Sequence, residues 1–441
     1  MGRRHSNVMS LQRLIQDALA ETPPGRPVWV GLSGGLDSCL LLTLTAQSLH
    51  HHPRPLHAIH VNHGLQQAAS DFERHCRGLC SRLGIPLYVE HVSVSQTGGL
   101  GLEGAAREAR YAAFARRVAP GDTLWLAQHR RDQVETLLLN ALRGSGVRGL
   151  AAMPVRRIWQ ERRLVRPWRD VSREALEAEA VRLGLRWVED PSNADDGLDR
   201  NYLRQRVLPL LAQRWPSTEA SLAQAATNAG EADALLGELA EQDLMEAGGA
   251  PGCLPLAFLE TLSSPRRRLL IRHCCERLGL AHPPRARLLA LDEQRQARRD
   301  AVVHVSWPGG EARIWRDALY LQQLTAASCD EAWQRPWDGI SPLSTPVGQV
   351  TGALSRQEGD LGLSAEFQVM PRRGGERLRL AKRGHRDVKR LLQELDVPPW
   401  QRHQVLVVWQ GETVVALLGD VLPGGGVTSE GWRLCPWSAR P

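Results

Sequence analysis

One short segment constrains the fold of this chain more than any other, because an apolar run, a glycine turn and a helical stretch follow one another directly. Residues 28–32 are apolar and residues 38–49 have helical character, and between them stand Ser33, Gly34, Gly35, Leu36, Asp37 and Ser38. Two adjacent glycines let a backbone approach an anion, and the following helix directs N–H groups and its positive dipole end at it. The segment predicts a phosphate-binding loop, with a tight capped glycine turn as the alternative.

The alternation of strand and helix continues along the first half of the chain. Further strands are predicted at residues 56–61, 87–92, 124–127 and 185–188, with helices at residues 72–83, 103–118 and 132–142. Repeated βα units imply a parallel sheet covered on both faces, with the strand-to-helix loops on one ligand-binding edge. The predicted fold is α/β, with a doubly wound, Rossmann-like parallel sheet in a first domain at residues 1–215.

The pattern changes after residue 215. Residues 217–244 predict a long helix, and Ser264 followed by Pro265 predicts the start of another. Short strands are predicted at residues 301–307 and 319–324, a linker or loop at the proline-rich residues 334–348, and a last helix at residues 386–395. We expect a mainly helical middle domain at residues 216–325 and a small, basic, mixed α/β domain at residues 326–441.

Composition narrows the class of protein. A chain of 441 residues is too long for one ordinary core, so two or three domains are expected. No apolar run approaches the ~20 residues of a membrane helix, and the start of the chain predicts an amphipathic helix rather than a signal peptide. Eight cysteines without a Cys-x-x-Cys favour a reducing cytoplasm over a disulfide scaffold, and the net charge of +7 suits a polyanionic partner.

Basic residues are nearly all arginine, which excludes some chemistry. The two lysines are Lys382 and Lys389. The glycine loop therefore cannot be a Walker-A P-loop, which needs its own lysine. No lysine in the first 381 residues can form a Schiff base or a covalent lysyl-nucleotide.

The loop hexapeptide resembles the signature of the PP-loop ATP pyrophosphatases, which cleave ATP between its α- and β-phosphates. Further stretches resemble, in order and spacing, the tRNA(Ile)-lysidine synthetase family. These stretches are His60-Val61-Asn62-His63-Gly64-Leu65, residues 103–111, residues 129–136 running on to Arg143-Gly144-Ser145-Gly146, and Asp190-Pro191-Ser192-Asn193 with Arg200, Asn201 and Arg204. Residues 384–402 resemble the last domain of the longer form of that family. The resemblance covers residues 25–210 and this C-terminal part.

The resemblance implies a reaction in two steps. The carbonyl oxygen of the wobble cytidine of a tRNA(Ile) with a CAU anticodon attacks the α-phosphate of ATP, and free lysine then displaces AMP at carbon 2. The product, lysidine, switches codon and amino-acid identity from methionine to isoleucine. ATP and Mg²⁺ are the expected cofactors, the tRNA and free L-lysine the expected partners, and the sequence leaves open whether the chain forms a homodimer. A PP-loop tRNA thiolation enzyme is the alternative, and a catalytically silent RNA-binding protein is a more distant one.

Two acids and a histidine are the candidate catalytic groups after the fourth strand. Asp132 and Glu135 stand at i and i+3 and share a helix face, which could grip the lysine ammonium and accept its proton. A solvated acidic face is the alternative. His129 could contact nucleotide or cytosine, or could cap the helix. Asp37 stands beside the predicted phosphates, where a carboxylate needs a cation, so it is the predicted Mg²⁺ ligand.

Arginines supply the remaining candidates. Arg107, Arg110 and Tyr111 fall on one helix face suited to ATP phosphate or RNA, although helix-stabilising surface charge would give the same pattern. We assign Arg107 to catalysis and Arg110 to nucleotide binding. Arg200 stands four residues before Arg204, and we assign it to AMP phosphate, with the RNA backbone as its other candidate ligand. The predicted nucleotide contacts thus comprise the loop Ser33, Gly34, Gly35, Leu36, Asp37 and Ser38, together with Arg110 and Arg200.

One position departs from the family pattern, and one basic stretch has no part in the ATP site. The family often has two adjacent acids where this chain has Arg131 and Asp132. If the missing acid helps to hold a metal, this chain must hold the metal in another way, or Arg131 must meet phosphate directly. Residues 372–390 are densely basic and predict a surface that docks the tRNA body through its phosphates, with a solvated basic face as the alternative.

Overall fold

The computed structural model describes residues 10–64, 69–93, 101–191, 195–294, 303–324, 332–350, 352–356 and 366–436. It divides into two compact units, residues 1–238 and residues 239–441. Within the described part of the chain, no helix is both long enough and apolar enough to cross a membrane.

The first unit alternates strands and helices. Its elements are α1 (Leu11–Ala20), β1 (Val28–Gly31), α2 (Leu36–Ser48), β2 (Leu56–Asn62), α3 (Ala69–Leu83), β3 (Leu87–His91), α4 (Gly101–Arg117), β4 (Thr123–Trp125), α5 (Arg130–Leu142), α6 (Val147–Leu150), β5 (Arg156–Trp159), β6 (Arg162–Val165), α7 (Arg173–Arg182), α8 (Asp199–Tyr202), α9 (Leu208–Arg214) and α10 (Thr218–Glu246), which continues past the unit boundary. A π-helical turn, Leu203–Val207, joins α8 to α9.

The six strands of this unit form one sheet in the order β3-β2-β1-β4-β6-β5. All neighbours pair in parallel except the edge hairpin of β5 and β6. Successive side chains of β1 alternate between two cores. Val28 and Val30 pack in the cluster that contains α1, α2, α3 and α7, whereas Trp29 packs with Phe114 and Val118 at α4. Apolar helices therefore cover both faces, which confirms the predicted doubly wound sheet.

Helix α2, which follows the glycine loop, is apolar around its whole circumference, as expected of a helix enclosed by protein. Leu40, Leu41, Leu42 and Leu44 are all completely buried. Two of its buried hydroxyls are satisfied within the helix, because Thr43 donates to the carbonyl of Cys39 and Thr45 to the carbonyl of Leu41. The helix that aims at the site is thus fixed along its length.

Two predictions about the backbone are wrong. Residues 185–188 are not a strand, and the fifth parallel strand is β6. The hairpin of β5 and β6 escapes a search for apolar runs because each strand begins with two arginines. Residues 185–188 lie against the glycine loop instead, where the N–H of Val188 donates to the carbonyl of Gly34 at 3.0 Å. Residues 334–348 are not only a linker, since strands form within them.

The first part of the second unit combines helices with a four-stranded sheet. Helices α11 (Leu256–Thr261), α12 (Ser264–Arg277) and α13 (Arg285–Gln294) pack on an antiparallel sheet in the order β7-β10-β9-β8. Its strands are β7 (Cys253–Pro255), β8 (Val303–Trp307), β9 (Gly310–Trp315) and β10 (Ala318–Gln322). The predicted helices and both predicted strands are present, and the sheet joins them into one core.

The rest of the second unit is mixed α/β, as predicted. A seven-stranded sheet has the order β11-β15-β18-β19-β16-β17, with β20 beside β19, and β12 pairs with β13 and β14 with β21. The elements are β11 (Arg335–Trp337), β12 (Leu343–Thr345), β13 (Gly348–Val350), β14 (Gly352–Arg356), β15 (Phe367–Pro371), β16 (Arg377–Leu380), β17 (Gly384–Asp387), α14 (Val388–Glu394), β18 (Leu406–Gln410), β19 (Thr413–Leu418), β20 (Gly426–Thr428) and β21 (Trp432–Pro436).

Truncation of a core side chain in α2 should destabilise the first unit far more than truncation of an exposed one. Leu41→Ala removes a completely buried side chain, and we expect a loss of about 2–5 kcal/mol in the free energy of unfolding. Leu235→Ala is the matched control, because Leu235 is 64% exposed. Chemical denaturation followed by circular dichroism measures both. Equal losses in the two variants would contradict the packing described for α2.

Candidate active site

A cavity of about 1150 Å³ opens at the carboxyl ends of β1, β2 and β4, which is the edge where the sequence places the ligand. Its lining comes from the glycine loop, the end of β2, α4, the starts of α5 and α7, residues 187–191 and the π-helical turn. The lining side chains include Ser33, Asp37, His60, Asn62, Arg110, His129, Asp132, Arg173, Asp190 and Arg204. The cavity is large enough to hold a nucleotide.

The glycine loop holds its shape through its own hydrogen bonds. Gly34 has φ +93°, and a Cβ there would lie 3.1 Å from a ring carbon of Phe72 and 3.3 Å from the sulfur of Cys76. The hydroxyl of Ser38 accepts from the N–H of Ser33 at 3.1 Å and donates to the carbonyl of Gly35 at 3.1 Å. Gly35 is the N-cap of α2 and has no side chain to cover the first N–H groups of that helix. The loop is therefore built to receive an anion.

The second-strand motif supports this loop from the side. The ring Nδ1 of His60 lies 2.8 Å from the carbonyl oxygen of Leu32, the residue directly before the loop. Burial lowers the pKa of His60, so the ring is neutral and donates this hydrogen bond. The side-chain oxygen of Asn62 accepts from the N–H of Gly64 at 2.9 Å and fixes the turn after the strand. Leu65, at the end of the motif, lies outside the described residues, as do Ser192 and Asn193.

Asp37 is paired with an arginine that the sequence did not single out. One terminal nitrogen of Arg173 lies 2.5 and 2.6 Å from the two carboxylate oxygens of Asp37. Burial raises the pKa of Asp37, and His129 and Arg173 oppose that rise. Arg173 is the first residue of α7, 136 positions along the chain, and its Nε also donates to Glu177 at 2.8 Å. In the sequence, Arg173 is marked only by Ser172 before it, a residue type that favours the start of a helix.

His129 and Asp132 form the start of α5. The Nδ1 of His129 accepts from the N–H of Arg131 at 3.2 Å, and a carboxylate oxygen of Asp132 accepts from the N–H of His129 at 3.0 Å. Since Nδ1 accepts this hydrogen bond, the ring proton lies on Nε2. That nitrogen lies 3.6 Å from Asp132 and 3.9 Å from Asp37. The histidine therefore caps the helix and also stands between the two carboxylates.

The shared helix face predicts that Glu135 stands beside Asp132 at the cavity. The structure places Glu135 elsewhere. Its side chain is fully buried, and Arg204 donates to its two oxygens at 2.7 and 3.0 Å. Burial raises the pKa of Glu135, and Arg204 opposes the rise. Arg204 also approaches Asp132 at 3.5 Å, and it reaches both acids from the π-helical turn. In this arrangement Asp132 faces the cavity, and Glu135 holds Arg204 in place.

Arg131, which replaces an acid of the family pattern, is compensated by two other acids. Its Nε donates to Glu219 at 2.7 Å and a terminal nitrogen donates to Glu174 at 3.1 Å. These partners belong to α10 and α7. The guanidinium is thus engaged in ion pairs, and Arg131 also lines the cavity.

Of the remaining predicted residues, one lines the cavity and the others contact neighbouring protein groups. Arg110 lines the cavity, whereas Arg107 lies over the ring of Tyr111, with its guanidinium carbon 5.0 Å from the ring centre. Arg200 approaches Glu135 at 3.8 Å and the hydroxyl of Thr136 at 3.5 Å. Asn201 donates to the carbonyl of Asp195 at 2.8 Å. The expected common face of Arg107, Arg110 and Tyr111 therefore contributes Arg110 alone to the cavity.

The residues at the cavity fit a magnesium ion that uses few protein ligands. Mg²⁺ is usually held by one or two carboxylates, with substrate phosphates and water completing its shell. Asp37 and Asp132 supply two carboxylates, 3.9 and 3.6 Å from Nε2 of His129. Within the described residues, no group of three or more His, Cys, Asp or Glu side chains could hold a metal alone. Asp37 is the residue that would hold the ion against bound phosphates.

Three family models match the chain, and together they span most of it. A model described as a PP-loop domain matches residues 6–211. A model described as the TilS substrate binding domain matches residues 254–320, and one described as the TilS substrate C-terminal domain matches residues 367–432.

Curated relatives match along nearly the whole chain. A tRNA(Ile)-lysidine synthase from Xanthomonas axonopodis pv. citri is 42% identical, covering 94% of this chain and 93% of its own. One from Pseudomonas syringae pv. tomato is 42% identical, covering 96% and 94%. Among solved structures, a U34-tRNA thiolase from Methanococcus maripaludis is similar at 17% identity and a TM-score of 0.42, covering 49% of this chain and 76% of its own.

Gly34→Ala should impair nucleotide binding through crowding as well as backbone strain. An added Cβ would press on Phe72 and Cys76 and push the loop out of shape. Gly84→Ala is the matched control, because Gly84 also has a positive φ, +68°, but has nothing within 4 Å of the added carbon. We expect at least a tenfold (~1.4 kcal/mol) loss of ATP affinity by calorimetry in the first variant only. Equal affinities in both variants would contradict a tightly packed loop.

Arg204→Gln should cost stability in a pH-dependent way. It leaves Glu135 buried without its partner, for a loss of roughly 3 kcal/mol at pH 8. The folded-state pKa of Glu135 is raised above 4.5 by burial and rises further without Arg204. The loss should therefore be small near pH 4.5 and should grow as the pH rises through the folded-state pKa.

Denaturation of the variant and the parent at matched pH values measures this difference. Arg206→Gln is the control, since Arg206 lies on the same π-helical turn as Arg204 and forms an exposed pair with Asp196. Adding Glu135→Gln to Arg204→Gln should recover much of the loss. A loss that is independent of pH would show that the burial of Glu135 is not its cause.

Proposed function

This chain belongs to the tRNA(Ile)-lysidine synthase family, and from that membership we propose that it joins free lysine to carbon 2 of the wobble cytidine of a CAU-anticodon tRNA(Ile), at the expense of ATP. The observation that carries the proposal is the combination of a family match along nearly the whole chain with an intact phosphate loop in a cavity of nucleotide size. We propose the cytoplasm as its compartment, because ATP, tRNA and free lysine occur together there.

In the first step, the residues of the glycine loop hold the phosphates of ATP. The N–H groups at the start of α2 face the phosphates, and Arg110 adds charge from α4. The cytosine oxygen attacks the α-phosphate, a P–O bond to pyrophosphate breaks, and an adenylated cytidine results. Mg²⁺ held by Asp37 would neutralise charge that develops on the phosphate oxygens.

In the second step, Asp132 receives the lysine. Its carboxylate faces the cavity and is close to the Nε2–H of His129. A carboxylate there attracts the lysine ammonium and can accept the proton that the amine must lose before it attacks carbon 2. AMP then leaves. We propose that Glu135 acts indirectly, by holding Arg204 beside Asp132.

The tRNA body is proposed to bind the basic hairpin of β16 and β17 and the start of α14. Arg377, Lys382, Arg386, Lys389 and Arg390 are all exposed there. Another basic run, Arg266 to Arg268, is a weaker candidate because its members pair with Asp243 and Asp292. Contacts with phosphates would give affinity and salt dependence, not sequence choice.

A thiolation activity is the alternative, and the cysteines argue against it. The sequence contains no Cys-x-x-Cys. Cys39, directly after the loop, is completely buried, and burial raises its pKa to about 12. A thiol in that environment is a poor nucleophile.

The function is tested with purified protein, ATP, Mg²⁺, labelled lysine and an isoleucine tRNA transcript with a CAU anticodon. A methionine tRNA with the same anticodon is the control. Label that enters only the isoleucine tRNA, with release of AMP and pyrophosphate, is the expected result. Formation of AMP with sulfide, and none with lysine, would establish thiolation instead.

Asp132→Asn should separate the two chemical steps. The amide keeps an oxygen that can accept the N–H of His129, so the start of α5 is preserved. It cannot attract the ammonium or take its proton, so we expect lysine transfer to fall by about 10²-fold or more with a raised KM for lysine. Pyrophosphate release in the absence of lysine should change much less.

Asp71→Asn is the matched control, because Asp71 is an exposed acid of α3 paired with Arg74. It should behave like the parent protein in both assays. An Asp132→Asn variant that loses both steps equally would assign Asp132 to ATP rather than to lysine.

A further inference from the structure

Arg173 occupies the position at which Asp37 would hold a metal ion. Both carboxylate oxygens of Asp37 lie within 2.6 Å of the same terminal nitrogen of Arg173. A guanidinium so placed blocks both oxygens, and a cation that binds Asp37 must displace it.

Arg173 also has a second partner that would remain after displacement. Its Nε, a different donor from the one on Asp37, binds Glu177 at 2.8 Å. Glu177 stands one turn further along α7 and lines the same cavity. The side chain can therefore swing its terminal nitrogens away from Asp37 while its Nε stays anchored.

The position of Arg173 is not explained by the stability of its helix. It is the first residue of α7, after the N-cap Ser172. A cation there meets the positive end of the helix dipole, which is unfavourable. Its carboxylate partners keep it in place, and both of them face the cavity.

We propose that Arg173 is the resident counter-ion of Asp37, and that it yields this carboxylate to the metal when ATP binds and then donates to the phosphates. The inference rests on the ATP-dependent function proposed above. In the nucleotide-free protein, Arg173 neutralises Asp37 and keeps divalent ions away. When ATP arrives, its phosphates supply new acceptors for the guanidinium and the remaining ligands for the metal. Metal and nucleotide then bind together rather than separately.

The test measures Mn²⁺ binding to the full-length protein without nucleotide, lysine or tRNA, from the electron paramagnetic resonance signal of the free ion. Arg173→Gln should bind Mn²⁺ at least tenfold more tightly than the parent, because a competing charge has been removed. Asp37→Asn added to Arg173→Gln should abolish the gain. Arg182→Gln is the matched control, since Arg182 forms an exposed pair with Glu179 on the same helix, and it should bind Mn²⁺ like the parent.

A second arm tests the phosphate contact. Arg173→Gln should bind α,β-methylene-ATP with Mg²⁺ more weakly than the parent does, whereas Arg182→Gln should match the parent. Arg173→Lys keeps the charge but lacks the separate donors that meet Glu177 and Asp37, so it should give intermediate values in both arms. It also guards against a folding defect in the glutamine variant. Unchanged Mn²⁺ affinity in Arg173→Gln, or a gain that survives Asp37→Asn, would overturn the inference. Lysine transfer by the parent is measured separately, so failure of the proposed function would be recognised on its own.

Discussion

The site depends on the pairing of carboxylates with arginines, and the carboxylate of Glu135 is fully buried. Asp37 is held by Arg173, Glu135 by Arg204, and Arg131 is held in turn by Glu174 and Glu219. Removing a carboxylate from water costs several kcal/mol unless a partner with good geometry compensates. A planar guanidinium that donates from several nitrogens can meet two oxygens, or two acids, at once. Arginines are available for such pairs, because nearly all basic residues of this chain are arginines.

These pairs also connect elements that are distant in sequence. The backbone N–H of Arg131 donates to the ring of His129, the N-cap of α5. Its side chain binds Glu174 on α7 and Glu219 on α10. Glu174 is the neighbour of Arg173, which holds Asp37. The start of α7 is therefore tied by ion pairs both to Asp37 on α2 and to Arg131 on α5. The departure of Arg131 from the family pattern is accommodated by this network.

The sequence predicts the scaffold well because the scaffold is local. Apolar runs, helical spacing and glycine turns locate β1 to β4 and α2 to α5, and the edge of the sheet follows from their parallel order. It cannot predict which charges meet. Glu135 and Arg204 are 69 residues apart, and Asp37 and Arg173 are 136 apart. The i, i+3 spacing places Asp132 and Glu135 on related faces, but only tertiary packing determines that Glu135 is buried and Asp132 reaches the cavity.

The cavity offers few protein ligands for the proposed metal ion, because each buried carboxylate is costly. Every additional buried carboxylate would need a cation in the nucleotide-free protein, and an arginine provides one without an ion. At Asp37 that cation is Arg173, which has Glu177 as a second anchor. At the position where the family resemblance predicts an acid, this chain has Arg131, which pairs with Glu174 and Glu219. A metal ion bound at Asp37 would then take its remaining ligands from the phosphates of ATP, and the nucleotide would itself be part of the proposed metal site.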